Sequence, residues 1–373
     1  MAKKLKKKGF SISSINLEHF KRIEAYAAAI NSLYEAAVND YIKLSEKIEI
    51  DSTKPFYFSD YPTANKLSKA IIIELRAKIQ AVIIEGGRKE WLFANEKADS
   101  FLESILDTTK LSKKKLAKYQ DRNLDALAEF QKRKTDGLDL SKRIWNYTSQ
   151  LPATMEMGLD IGIGEGKSSA ELSRDLRSYL KDPDKLFRRV RDKHGNLVLS
   201  KRAKAFHPGQ GVYRSSYKNA MRLTRTEINL AYRQADQLRY NSLDFIIGYE
   251  VKLSNNHTLN GVPFVDICDQ LKGKYPKSFI FKGWHPQCRC QLFPILLDSQ
   301  EFSTDEANEL RAALRGTEYK KYSSPNEVKA PHKGFTDWVK ENEERAKGWA
   351  SQPYFIRDNF KEGKISGGLK LGG

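Results

Sequence analysis

Apolar positions recur at three- and four-residue steps from near the start of the chain. Between residues 16 and 47 they fall at Leu17, Phe20, Ile23, Ala27, Ile30, Tyr34, Ala37, Tyr41 and Leu44. An α-helix turns once in 3.6 residues, so this spacing predicts one amphipathic helix with an apolar stripe. The prolines of DSTKPFYFSDYP (51–62) end it. A second helix is expected over 63–84, with Leu67, Ile71, Leu75 and Val82 along one side and Gly86-Gly87 as its stop. Further helices are predicted at 89–106, 112–133 and 139–158. Together they read as an all-α bundle of long helices, and no internal repeat interrupts it.

The pattern changes in the second half. Val190 and Leu197/Leu199 flank a DKHGN turn, which predicts a short β-hairpin. A long helix is expected over 212–241. Then Phe245, Ile247, Tyr249, Val251 and Leu253 alternate, which is the period of a strand over 244–254. SFIFKG (278–283) and CRCQLFPIL (288–296) are expected to add two more strands. Helices are predicted at 304–314 and 335–347. The glycine-rich end reads as a flexible tail after Tyr354, Phe355 and Ile356 pack back. The expected fold class is α+β and mainly α: a long-helix N-terminal bundle (1–160), a small α+β domain with a short sheet and a Cys/His-rich turn (161–300), and a helical C-terminal extension (301–373).

Composition narrows the function classes. The chain has 373 residues, enough for two or three cores. No run of eighteen apolar residues occurs, so no membrane span is expected. The start, MAKKLKKKGFSISSI, is basic but lacks the apolar core of an export signal. Three cysteines, an odd number in a long chain, point to a reducing compartment rather than a disulfide scaffold.

Net charge is +18, and it is unevenly placed. Residues 181–233 carry 14 Lys/Arg against 4 Asp/Glu, a net of +10. Clustered cations release counterions from phosphates, so double-stranded DNA is the expected partner of this segment. The candidate contacts are Arg188, Arg189, Arg191, Lys201, Arg202, Lys204, Arg214 and Lys218, with Phe206, Tyr213 and Tyr217 interleaved. The bland alternative is a solvated basic face. GIGEGKSS (162–169) has the outline of a phosphate loop, but the required first glycine would fall at Ile161. Ser168 and Glu171 instead make a capping box for a helix over 169–180. Glu227 lies two residues from Arg225 and cannot share its helix face; it either pairs with the cysteine segment or faces solvent.

The candidate chemistry lies between His257 and Pro294, which hold all three cysteines: Cys268, Cys288 and Cys290. Thiolates and imidazoles are zinc's preferred ligands. Zinc would take the three cysteines with His285 or His257 as the fourth ligand. Against that stand small buried side chains around a His285-Pro286 turn. A third reading makes Cys268, a histidine and Asp266 the parts of a cysteine hydrolase. It leaves Cys288 and Cys290 idle, so no catalytic constellation is complete and the chain is expected not to be an enzyme.

In order, TRTEINLAYR, DFIIGYEVKLS, DICDQLKGKYP and WHPQCRC form a pattern that resembles the phage Mu F-like minor head proteins, the phage head morphogenesis family. The matching positions are Arg225, Thr226, Glu227, Cys268, His285, Pro286, Cys288, Arg289 and Cys290, and the resemblance covers about 160–296. Family members commonly carry a second cysteine close to Cys268. Here Asp269, Gln270 and Leu271 follow, so a histidine must complete a metal site. The resemblance implies a minor protein of the phage head interior, made in the bacterial cytoplasm. Its implied partners are the portal, other head proteins and packaged DNA. The rival from another class is a zinc-stabilised host DNA-binding protein, which would need a recognition helix that the sequence does not signal.

Overall fold

The computed structural model describes residues 10–51, 54–182, 185, 190–191, 194, 197–198, 213, 215–254, 258–259, 262–349 and 351–370. It is mainly α, with one small antiparallel sheet. The first helices are α1 (Ile12–Glu46), α2 (Pro62–Ile105), α3 (Lys113–Tyr119) and α4 (Leu124–Lys132). Then come α5 (Leu140–Thr148), α6 (Leu151–Gly164), α7 (Ser169–Lys181) and the long α8 (Ser216–Ser242). The hairpin β1 (Val190–Arg191) with β2 (Leu197–Val198) lies between the last two. No helix among the described residues is long and apolar enough to cross a membrane.

The chain divides into two compact units that interleave along the sequence. One comprises 1–21, 88–127 and 229–373, and the other 22–87 and 128–228. The boundaries fall inside α1, α2, α4 and α8.

The unit of 22–87 and 128–228 is the helical bundle. Ile30, Tyr34, Tyr41, Leu75, Ile79, Met155, Leu176 and Tyr179 form its buried core. The stripe expected on α1 is buried from Ile23 to Leu44, as helical periodicity requires. The proline-rich strap after α1 is fixed by carboxylates of α6. Asp160 accepts from the Phe56 amide at 2.6 Å and Glu156 from the Phe58 amide at 2.7 Å. The α7 cap is the capping box of Ser168 and Glu171. Lys167, the lysine of the phosphate-loop outline, is held by Glu165 and Asp175, each at 2.6 Å.

Two helix expectations need correction here. Gly86-Gly87 does not stop α2, which continues to Ile105. A Cβ on Gly86 would stand 2.6 Å from Ile228 Cδ1, so this glycine permits close packing rather than a turn. The expected helices 112–133 and 139–158 are each two. The first is interrupted by Asn123, whose φ of +50° is left-handed. The second is interrupted before Pro152, where α6 begins afresh.

The other unit carries the α+β part. The sheet order is β6-β3-β7, with β3 (Ile246–Lys252) pairing antiparallel with both β6 (Gly273–Tyr275) and β7 (Gln291–Leu296). The hairpin β4 (Thr258–Leu259) and β5 (Val262–Pro263) and the short α9 (Ile267–Leu271) lie between β3 and β6. α10 (Ser299–Arg315), α11 (Lys333–Ala346) and α12 (Tyr354–Asn359) follow β7. Tyr240, Tyr249, Tyr275, Phe279, Trp284, Phe335 and Phe355 belong to one largely aromatic core.

The strand expected at 278–283 is absent. Its backbone groups are taken by side chains. Gln237 of α8 accepts from the Phe281 amide at 2.9 Å and donates to the Phe279 carbonyl. Asn359 of α12 accepts from the Ile280 amide at 2.7 Å and donates to the Ile280 carbonyl at 2.8 Å. With those groups satisfied, no ladder partner is needed. The glycine-rich end does not trail away within the described residues. A bridge joins Phe360 to Leu369, and Lys370 donates its amide to the Asn359 carbonyl at 2.7 Å.

Candidate metal centre

Cys268 enters the site from the first turn of α9. Asp266 caps that helix by accepting from the Cys268 amide at 2.7 Å, and Asp269 accepts from the Asp266 amide at 3.0 Å. His285 and Cys288 come from the turn before β7. That turn closes through the Cys288 amide on the His285 carbonyl at 3.1 Å. It contains Gln287 at φ +62°, a left-handed conformation uncommon for a residue with a Cβ. Gly283 precedes it at φ +112°, and a Cβ there would crowd Cys288 Cβ at 3.1 Å.

These elements bring Cys268, His285 and Cys288 together, with one ligand atom from each within 4.8 Å of the others. Cys268 Sγ lies 3.2 Å from His285 Nε2 and 3.9 Å from Cys288 Sγ. Two thiolates bound tetrahedrally to zinc at ~2.3 Å would be about 3.8 Å apart. The His285 ring is prepared as well. Its Nδ1–H donates to the Pro286 carbonyl at 2.8 Å, which leaves the Nε2 lone pair facing the thiols. The Asp266 carboxylate is 3.6 Å from the same Nε2. All three cysteines are free and buried. The three residues thus form a cluster with the donors and spacing to hold a metal ion.

Cys290 adjoins the cluster and acts on both other thiols. Hydrogen bonds with Cys288 and Cys290, then burial, push the Cys268 thiol up. Burial opposes ionisation of Cys288, but hydrogen bonds from Cys268 and Cys290 and the charge of Arg233 outweigh it and bring that thiol down.

One face of α8 holds the turn. Asn229 donates to the Cys288 carbonyl at 3.1 Å. Arg233 donates to the Cys288 and Cys290 carbonyls at 3.1 and 2.6 Å. Gln237 continues the row onto 279–281. Sequence reading passed over Arg233 and Gln237. The available signal was polar residues at intervals of four, Asn229, Arg233 and Gln237, on a helix otherwise fit for burial.

The remaining candidates separate. His257 lies outside the described residues, as do Arg188, Arg189, Lys201, Arg202, Lys204 and Arg214. Arg191 is described by its backbone in β1, and Lys218 is exposed on α8. Glu227 is neither solvated nor joined to the cysteine segment: it accepts from Arg133 and Arg143, each at 2.7 Å. Arg225 pairs with Glu24 at 2.8 Å, and Thr226 is buried. Arg289 lies over the Phe20 ring, 5.7 Å from its centroid. No family model matches the chain, and neither does any curated protein or solved structure.

Proposed function

We propose that this chain is a phage head-morphogenesis protein of the Mu F-like kind, a non-enzymatic minor component of the head interior. In this reading its α+β part is held by zinc on Cys268, Cys288, Cys290 and His285. The observation that carries the reading is the turn with His285 and the buried Cys288, fastened to α8. What supports it is that Cys268, His285 and Cys288 have ligand atoms within 4.8 Å of one another, and that α8 holds the backbone of their turn. The DNA role rests on the basic composition of 181–233.

Zinc here would be structural. The thiols are buried, and in this reading Cys290, which adjoins the cluster, closes the site as the fourth ligand. Because the ligands do not converge in an unfolded chain, metal binding adds directly to folding free energy. The hydrolase reading is disfavoured by the same geometry. A nucleophile needs a lowered pKa and access, whereas Cys268 is raised and buried. Asp266 also approaches the nitrogen that faces the thiol and not Nδ1, which an orienting group would hold.

Two measurements test the proposal. Elemental analysis of protein purified without chelator should find one zinc per chain, and Cys268→Ala should lose it. A content far below one in the parent chain ends the metal reading. The genes beside it should encode a portal and a capsid protein, and co-expression with them should place the chain with the portal on a density gradient. A chain that sediments alone would remove the head-assembly reading, whatever the zinc result.

A further inference from the structure

Arg233 is a buried cation with no carboxylate in ion-pair contact among the described residues. It is 6% exposed, and a guanidinium stays charged in any protein environment. Its Nε donates to Asn229 Oδ1 at 3.2 Å, and its Nη2 to the carbonyls of Cys288 and Cys290. Phe281 lies beneath it, 5.2 Å from Cζ to the ring centroid. Every one of these partners is neutral.

The nearby carboxylates have other partners in contact: Asp236 is bound by Lys97 at 2.6 Å, and Glu90 accepts from the His19 ring at 2.7 Å. Among the described residues none pairs with Arg233. Arg239, two turns along the same helix, shows the ordinary arrangement: it is buried too, but bonded to the Asp99 carboxylate. Burying an unpaired charge is unfavourable, so such groups normally have a counter-ion.

We infer that Arg233 is the counter-charge of the Cys/His metal centre, balancing the single negative charge that three thiolates and a neutral imidazole leave on a divalent ion. The inference rests on the metal reading above and adds to it. Two thiolates would leave the bound centre neutral and the guanidinium still unpaired. Only with Cys290 as the third thiolate does the buried assembly sum to zero. The placement agrees, because the guanidinium is fastened to the carbonyls of the two cysteines that flank Arg289. Arg233 is thus a positioning and charge-balancing residue, not a ligand.

The test is competition for zinc between a chromophoric chelator and the full chain, stripped of metal and reloaded. Arg233→Lys keeps the charge and loses the forked hydrogen bonds; Arg233→Gln keeps a donor and loses the charge. Arg233→Gln should bind about 100-fold more weakly than the parent, and Arg233→Lys no more than about tenfold. Cys290→His removes one negative charge from the centre. It should weaken binding when Arg233 is present and restore part of the affinity in the Arg233→Gln background. Equal losses in the Lys and Gln variants would overturn the inference, since hydrogen bonding alone would explain them. Unchanged affinity in Arg233→Gln would do the same. Should Arg233→Gln fail to fold by circular dichroism, Cys290→His alone decides: parental affinity there refutes charge balance. A parent chain that takes up no zinc defeats the metal centre itself, a separate and recognisable result.

Discussion

The two compact units bury different chemistry. In the helical unit, Glu227 is the one acidic or basic side chain buried among the described residues, and two arginines meet it. In the other unit His19, Glu90, Lys97, Arg233, Asp236, Arg239, Glu301 and Asp305 are all buried. The first core is an apolar seam between helices. The second holds together a sheet of only three strands and a long irregular segment, and that segment's backbone needs donors and acceptors that helices would have supplied internally. Polar side chains on α8 and α12 supply them. Apolar packing tolerates approximate fits, whereas a polar network fails when one member is missing. The two units should therefore respond differently to substitution.

The largest difference is expected at Lys97 and Asp236. The pair is buried, 2.6 Å apart, and burial pushes the Lys97 pKa down and the Asp236 pKa up. Lys97→Met strands the carboxylate and should cost about 3–5 kcal/mol in urea unfolding. Lys97→Met with Asp236→Leu should recover most of that loss, because two desolvated charges give way to apolar contact. If the double variant is as unstable as the single one, the pair is not what makes this core brittle.

A smaller effect is expected at Gln237, which replaces a missing strand partner. Gln237→Ala leaves the Phe281 amide and the Phe279 carbonyl bare and should cost about 1–3 kcal/mol. Hydrogen exchange should quicken at Phe281 and its neighbours and remain slow in α6 and α7. Uniform exchange across both units would mean that the segment does not depend on this side chain.

The same contrast governs how much the sequence disclosed. The α1 stripe was legible from Ile23 to Leu44, because burial there follows apolarity. Before Ile23 the rule inverts: Asn16 and His19 are buried, while Leu17 is 51% exposed. Hydrophobic periodicity cannot see a polar core. His19 sits stacked on Tyr232 at 3.6 Å and bonded to Glu90 and Asn229, partners far away in sequence. The strand at 278–283 was misread for the same reason, since SFIFKG has strand composition but its bonds go to Gln237 and Asn359. The glycine pair in α2 looked like a stop because its neighbour Ile228 lies 142 positions further on than Gly86. The cysteine cluster was legible because zinc chemistry needs few residue types, and these are scarce in the chain. Arg233, which holds the turn beside it, was not, because an arginine on a basic helix looks like any other.

The smallest expected effect concerns Lys277, which belongs to the polar unit but has no acidic partner in contact. Its Nζ donates to the Leu243 carbonyl at 2.7 Å. Burial, helped by the charge of Lys321, pushes its pKa down to about 8 from an ordinary 10.5. The folded state thus releases this proton before the unfolded chain does. Between about 8 and 10.5 the unfolded chain holds more protons, so stability must rise with pH across that window. Below about 8 both states carry the charge, and the cost of burying it is felt in full. Lys277→Met removes the titration. Unfolding midpoints in urea at about pH 7.5 and about pH 9.5 should therefore differ more in the parent than in Lys277→Met. The variant should gain most at the lower pH, less what it loses by leaving the Leu243 carbonyl without its donor. An identical pH response in parent and variant would show that Lys277 is hydrated in the folded state, and this corner of the unit would then be as forgiving as the helical one.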